Sequence, residues 1–401
     1  MVSKGSDTVT NPTATSWLYV ITACAAVAAI VYLSAWGRRY GLDLKVYRDS
    51  VTFWRSGKNP YLATFTQKRL PFTYPPFALL VLAPFSWPSF AIAQWILWLA
   101  SIAAATASVV LVLRDRGVAV TKRLWCEAFA WSCVSVIVLE PARSGADYGQ
   151  IECILMFIVV ADLLLVPARY RGVLTGFAAA VKLTPLVFVM AFVLSRDVKS
   201  VLRAVASFLA WTALSWLFWP GLSRLYWFHD VTRPDRDGSI AYNGNQSWYA
   251  ILHRAPFPAS GSALAWLLLS ILTLTVTAFV AWRCLTVSQK AFAMISIALA
   301  GLLVSPISWS HHWIWVVLIP PMLAGHRSPD VPRSVRIMFW GLIVLTIAAP
   351  YWWFSHGIPA DVLAAVMPLW AAAILVVWGA IGLRTWRGNP ESSHVRSVTP
   401  V

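Results

Sequence analysis

Residues 176–190 read GFAAAVKLTPLVFVM, one charge in an otherwise apolar run. Pro185 follows three residues after Lys182, and its ring disfavours continuing a helix through this point. The apolar pieces on either side, 172–181 and 184–195, are each too short to cross about 30 Å of hydrocarbon. Broken helices of this kind are tolerated where they line a wet cavity. If 172–195 enters the bilayer and comes back, Lys182, Thr184 and Pro185 form the apex of two short helices. If it crosses straight, every later segment changes sides. A charge at the centre of a spanning helix costs about 2.5–3.5 kcal/mol on insertion scales. Lys182 either snorkels to the interface or faces an aqueous, phosphate-containing cavity as a point charge on an anion. The apolar flanks on both sides fit the second reading better.

The whole chain shares the character of this stretch. Its 401 residues are 59% hydrophobic and only 12% charged, against roughly 25% charged in an average soluble domain. Mean hydropathy is +0.67. Together with apolar runs near twenty residues long, this predicts an all-α polytopic membrane protein. The runs are continuous and do not alternate, so they predict helices and exclude a barrel. Ten spans are expected, near 17–36, 91–113, 124–140, 150–167, 201–219, 263–282, 291–308, 314–325, 337–353 and 362–383. With the two half-segments around Lys182 the total is ten to twelve transmembrane segments in a single domain, and a short apolar piece at 76–87 extends or packs beside the second span.

The connections 114–123, 168–171, 196–200, 283–290 and 326–336 are short and basic, which places them in the cytoplasm. That assignment requires 172–195 to return to the side from which it came. The outer face then collects the first loop (37–75), the turn EPARSGADYGQIE (140–152), the long loop 220–262 and SPISWSHHW (305–313). The first loop carries eight Lys/Arg, against the usual charge bias. A loop lying on the membrane resolves this, because its cations meet lipid phosphates. Residues 1–16 read as a cytoplasmic N-terminus before a retained signal anchor, and 384–401 as a disordered cytoplasmic tail. The net charge of +16 is accounted for by basic loops, and no Lys/Arg cluster interleaved with aromatics points to nucleic acid. The five cysteines sit in or beside the spans with no CxxC, so neither a disulfide nor a metal site is expected.

Four groups of residues could carry chemistry. Segment 43–56 reads as an amphipathic helix at the interface, with Val46, Tyr47, Ser50, Phe53 and Trp54 on one face and Lys45, Arg48, Asp49, Thr52 and Arg55 on the other. Asp43 falls among the apolar positions. It is either an N-cap, whose backbone N–H bonds would make it a weak base, or a carboxylate facing a cavity, suited to general-base work. Lys182 is the second candidate. SPISWSHHW offers His311 and His312, adjacent and so about 100° apart on a helix, which disfavours a shared metal. They are surface histidines or hydrogen-bond donors to phosphate or sugar. Trp309 and Trp313 are interfacial residues or platforms for a sugar ring. SGADYGQIE offers Asp147, Gln150 and Glu152 at the outer end of a span; Asp147 and Gln150 are either ligands to sugar hydroxyls or ordinary polar loop residues. DRD at 235–237 has the form of a metal-binding motif, but three residues carry little weight.

GLDLKVYRDS (41–50), NPYL (59–62), FTYPPF (72–77), YGQIE (148–152), AAAVKLTPLVF (178–188) and SPISWSHHW (305–313) occur in this order. Together they resemble the polyprenol-phosphate-mannose-dependent α-1,2-mannosyltransferases of glycosyltransferase family 87, which have the GT-C membrane fold. The resemblance covers nearly the whole chain. It implies a multi-pass enzyme of the plasma membrane with its active site on the outer face. Its donor would be polyprenyl-phosphate-mannose and its acceptor a phosphatidylinositol mannoside. The family's acidic residue in the first outer loop falls on Asp43, its lysine before Thr-Pro on Lys182, and its histidine pair on His311 and His312. Glu152 departs from the pattern, which has Asn after Gly-Gln-Ile. The family's donor is β-linked, so an α product implies inversion with Asp43 as general base. Lys182 and the histidine pair would stabilise the leaving phosphate without a metal or other cofactor. Arg38, Arg39 and Lys45 are candidates for the acceptor's phosphate, and Tyr47 for acceptor or sugar. Another lipid-linked-sugar transferase, acting on lipomannan or arabinan branches, and a lipid flippase or transporter remain the alternatives.

Overall fold

The computed structural model describes residues 12–35, 41–233, 236, 238–255, 259–324 and 331–387. Helix α1 (Pro12–Ala35) is apolar on all sides and packs on the bundle through Ala25, Ala29 and Leu33. After it, α2 (Leu42–Arg55) starts from Gly41 in the left-handed region, φ 44°. Its sequence pattern decides its pose. Leu44, Val46, Tyr47, Ser50 and Val51 are buried, while Lys45, Asp49, Thr52 and Arg55 are exposed. A two-stranded hairpin, β1 (Thr64–Phe65) with β2 (Leu70–Pro71), leads into α3 (Ala78–Leu82).

Helix α4 (Phe90–Asp115) is capped by Ser89, and α5 (Lys122–Val138) by Thr121, whose hydroxyl accepts from the amide of Leu124 at 3.2 Å. Next, α6 (Glu140–Tyr148) turns 80° away from α5. Pro141 sits in its first turn, where a missing N–H costs nothing. Helix α7 (Glu152–Leu164) has only 13 residues. Then come α8 (Val173–Val181), a break at Lys182 in extended backbone (φ −148°, ψ 132°), a 3-10 turn over Thr184–Phe188, and α9 (Val189–Leu194).

Segment 172–195 does return to its starting level. Arg171 pairs with Asp197 at 3.9 Å, and Arg203 donates to the carbonyls of Arg171 (2.8 Å) and Ala168 (2.7 Å). Its two ends therefore meet at the start of α10 (Val198–Phe218). Helix α8 lies against α10, with Ser207 Oγ donating to the carbonyl of Val173 at 2.8 Å. A side chain at Gly176 would strike the backbone of α10, so glycine there sets how closely the two helices approach. Asp162, fully buried at the end of α7, accepts from the amides of Gly172 and Thr175 and from the Thr175 hydroxyl at 2.6–3.0 Å. It closes the N-terminus of α8, where backbone donors have no helical partner.

The remainder comprises α11 (Pro220–Leu225), α12 (Trp248–Arg254), α13 (Ala259–Thr286), α14 (Lys290–Val304), α15 (Ile319–Ala324), α16 (Arg333–Ala348) and α17 (Ile358–Arg387). Among the described residues, six helices are long and apolar enough to cross a membrane: α1, α4, α10, α13, α16 and α17. The bent pair α5–α6 raises this to seven if it counts as one span. This is fewer than the ten to twelve segments expected. The apolar run 150–167 becomes the short α7, 291–308 becomes the 15-residue α14, and 314–325 becomes a 3-10 turn (Ser310–Leu318) followed by α15. Hydropathy registers buried, irregular apolar chain as readily as a lipid-facing helix. The exposed face of α13, with Leu264, Leu267, Leu268, Ile271 and Leu272, is the kind of surface that only a bilayer covers.

Candidate active site

Gly149 ends α6 in the left-handed region at φ 74°, and a Cβ there would lie 2.8 Å from that of Leu44. The amide of Gly41 donates to the carbonyl of Asp147 at 2.8 Å. These two contacts press the first turn of α2 against the α6–α7 corner and bring Asp43 beside Gln150. Gly41, not Asp43, holds the cap position of α2. Asp43 lies within the first turn, half-buried, on the wall of a cavity of about 650 Å³.

A chain of hydrogen bonds links residues that line this cavity. Lys182 Nζ donates to Tyr74 OH at 3.2 Å; Tyr74 and Tyr47 share a bond of 2.8 Å. Tyr47 OH donates to Gln150 Oε1 at 2.7 Å, and Gln150 Nε2 donates to Asp43 Oδ2. Burial pushes both phenols well above their ordinary range, so they stay protonated donors. All the bonds can point one way, from the ammonium to the carboxylate. Lys182 also donates to Glu152 and lies 3.2 Å from His312 Nε2.

Another part of the wall is aromatic. Trp309 and Trp352 flank Tyr242 with ring centroids 6.1 and 5.7 Å away. The loop carrying Trp309 is strapped to the segment before α12. The amide of Gln246 donates to the carbonyl of Ser308 at 2.7 Å, and Ser308 N donates to Asn245 Oδ1 at 2.9 Å. Glu140, buried at the start of α6, accepts from Ser310 (2.9 Å), Tyr351 (2.6 Å) and Trp352 (2.8 Å). One carboxylate thereby joins three wall segments that are distant in sequence. His311 also lines the cavity, its ring edge-on to Tyr148 at 5.4 Å.

Of the residues singled out in the sequence, Asp43, Tyr47, Gln150, Lys182, Trp309, His311 and His312 therefore border one space. Others do not. Lys45 is two positions beyond Asp43, about 200° around the helix; it is exposed, with its ammonium 5.4 Å from the centre of the Phe90 ring. Asp147 turns back toward α1 and accepts from Tyr32 OH at 3.3 Å. Trp313 is fully buried in the bundle. Glu152 stands behind Lys182 and does not line the cavity. Arg38, Arg39, Asp235 and Asp237 lie outside the described residues. Sequence reading missed Tyr74, Tyr242, Trp352 and Glu140. Only Tyr74, inside FTYPPF, stood in a motif that carried the resemblance.

Glu152, His311 and His312 present possible metal-ligand atoms within 4.8 Å of one another. The Lys182 ammonium already pairs with Glu152 and His312, so the chain supplies a cation of its own to this cluster. The cavity thus holds a carboxylate, a cation, neutral donors and a ring-stacking wall.

Comparison with known proteins matches the profile of glycosyltransferase family 87 to residues 72–306. A polyprenol-phosphate-mannose-dependent alpha-(1-2)-phosphatidylinositol mannoside mannosyltransferase of Mycolicibacterium smegmatis is 34% identical over 397 residues, covering 88% of this chain and 87% of the relative. Its namesake from Mycobacterium tuberculosis is 33% identical, covering 90% and 89%. A phosphatidylinositol pentamannoside mannosyltransferase of M. smegmatis is 33% identical over 293 residues, 72% of this chain and 70% of the relative. With the family profile spanning more than half of the sequence and relatives aligned along most of it, the chain belongs to glycosyltransferase family 87.

Proposed function

We propose that this protein is an inverting membrane mannosyltransferase, moving mannose from polyprenyl-phosphate-mannose to a phosphatidylinositol mannoside and forming an α-1,2 linkage. The relatives' names supply donor, acceptor and linkage. The observation that carries the chemistry is one cavity in which a carboxylate, Asp43, and an ammonium, Lys182, are joined through Gln150, Tyr47 and Tyr74.

Asp43 accepts the proton of the acceptor hydroxyl as that oxygen attacks the anomeric carbon. The bond from that carbon to the phosphate oxygen breaks, and the electron pair leaves with the polyprenyl phosphate. The new bond forms on the face opposite the old one, which inverts a β-linked donor to an α product. A phosphate ester leaves without a strong acid, provided that cations meet its growing charge. Lys182 and the neighbouring imidazoles, His311 and His312, occupy that end of the cavity and perform this task without a metal. Tyr242, Trp309 and Trp352 offer apolar ring faces to the C–H side of a pyranose. The site opens on the outer face of the plasma membrane, where the basic surface of α2 meets lipid headgroups.

The test is transfer of labelled mannose between lipids by purified protein in detergent, which a flippase, needing a sealed membrane, would not perform. Asp43→Asn is expected to lose about 10²–10⁴ in rate while binding donor normally. Turnover by that variant near the wild-type rate would overturn the assignment of the base.

A further inference from the structure

Lys182 has three N–H donors, and three protein acceptors lie within reach of them: Tyr74 OH, Glu152 Oε1 and His312 Nε2. A donor phosphate must displace one of them. Lys182 and His312 line the large cavity, whereas Glu152 does not. It borders two small cavities, of about 40 and 50 Å³, the second of which Lys182 and His312 also line. Glu152 Oε2 has no hydrogen-bond partner among the described residues. The carboxylate is about nine-tenths buried, with a side-chain exposure of 10%, and His312 Nε2 is 3.5 Å from its paired oxygen. The phosphate site therefore consists of a cation backed by an anion, with no net charge from the pair.

Substrate and product of the proposed reaction differ in charge. A glycosyl phosphodiester carries one negative charge. The phosphomonoester left after transfer carries nearer two, since its second ionisation falls near pH 6. Beside a lone ammonium the dianion would bind more tightly, and release would be slow. We propose that Glu152 is a positioning residue that sets the charge of the phosphate site. By pairing with Lys182 from behind, it matches the site to the phosphodiester of the donor and favours departure of the phosphomonoester. This rests on the mannosyltransferase reading, and it assigns Glu152 a role that its motif position, beside sugar-ligand candidates, did not suggest.

The test measures dissociation constants of polyprenyl phosphate and of its monomethyl ester, a stable phosphodiester, for wild-type protein, Glu152→Gln and Glu152→Asp at pH 8. Glu152→Gln keeps the shape and an acceptor for Lys182 but removes the charge. It is expected to bind the monoester about tenfold more tightly or better, with the diester changing far less and with kcat falling as release slows. Glu152→Asp keeps the wild-type preference. A purely structural role predicts weaker binding of both lipids, the opposite sign. A monoester-to-diester ratio unchanged in folded Glu152→Gln overturns the proposal. If that variant fails to fold, the wild type decides: monoester bound much more tightly than diester at pH 8 overturns it. The mannosyltransferase reading is judged separately, by transfer of labelled mannose with the wild-type protein.

Discussion

Gln150 shows how one neutral side chain organises the site. Its carbonyl accepts from Tyr47, and its amide donates to Asp43. The amide holds the carboxylate in place without adding a charge that would weaken it as a base. Gln150→Leu removes both contacts at similar volume and frees Asp43 to change rotamer. Misplacement of a reacting group by about 1 Å can cost on the order of 10²-fold. We expect kcat to fall by about that factor, with the KM for donor little changed, in steady-state transfer assays. The sequence placed Gln150 among sugar ligands because it stands in a polar turn. Its partners Tyr47 and Asp43 come from α2, so periodicity within YGQIE could not reveal them.

At the scale of elements, the site depends on the hairpin α8–α9. Lys182 reaches the cavity because α8 stops at it and the chain turns back. That arrangement is anchored at the other end of α8 by Asp162, which satisfies two backbone amides and the Thr175 hydroxyl. Asp162→Ala leaves these donors buried without partners, each costing about 1–3 kcal/mol. We expect a net destabilisation of about 2–4 kcal/mol, seen as a lower unfolding temperature in detergent. Transfer activity per folded molecule should stay close to wild type at low temperature. Loss of activity without loss of stability would place Asp162 in the site and not in the scaffold. Pro185 announced the break in sequence, whereas the anchoring at Asp162 was not legible. Asp162 sits inside the apolar run 150–167, and the amides it meets lie ten or more residues downstream.

For the whole molecule, the return of 172–195 puts the chemically active loops on one side. The first loop, α6, the segment before α12 and the SPISWSHHW turn all meet at the cavity, while the basic connections 168–171 and 196–200 meet at the other end of the hairpin. A cysteine at Lys58, exposed in the first loop, and one at Lys199, exposed at the start of α10, test this arrangement. In a background lacking the five native cysteines, an impermeant thiol reagent is expected to label the first in intact cells. It should label the second only after permeabilisation. Labelling of position 199 in intact cells would reverse the orientation.

The residues read in order are enough to show that the chain is an α-helical membrane protein, where its main helices lie, and that Lys182 sits at a break. These follow from local facts: apolar length, the ring of Pro185, and the cost of a charge in hydrocarbon. Their order also distinguishes the two faces of α2, because burial there follows a 3.6-residue period. It took the packed fold to show that Asp43 lies inside the first turn of α2 and faces a cavity, that Lys45 points away from it, and that Asp147 turns toward α1. The packed fold alone set Glu152 behind Lys182 and joined Glu140 to two distant wall segments. The physical reason is that a hydrogen bond or an ion pair is fixed by where two segments meet in space. Segments 30 to 210 residues apart meet according to helix packing, which leaves no period in the sequence of either one.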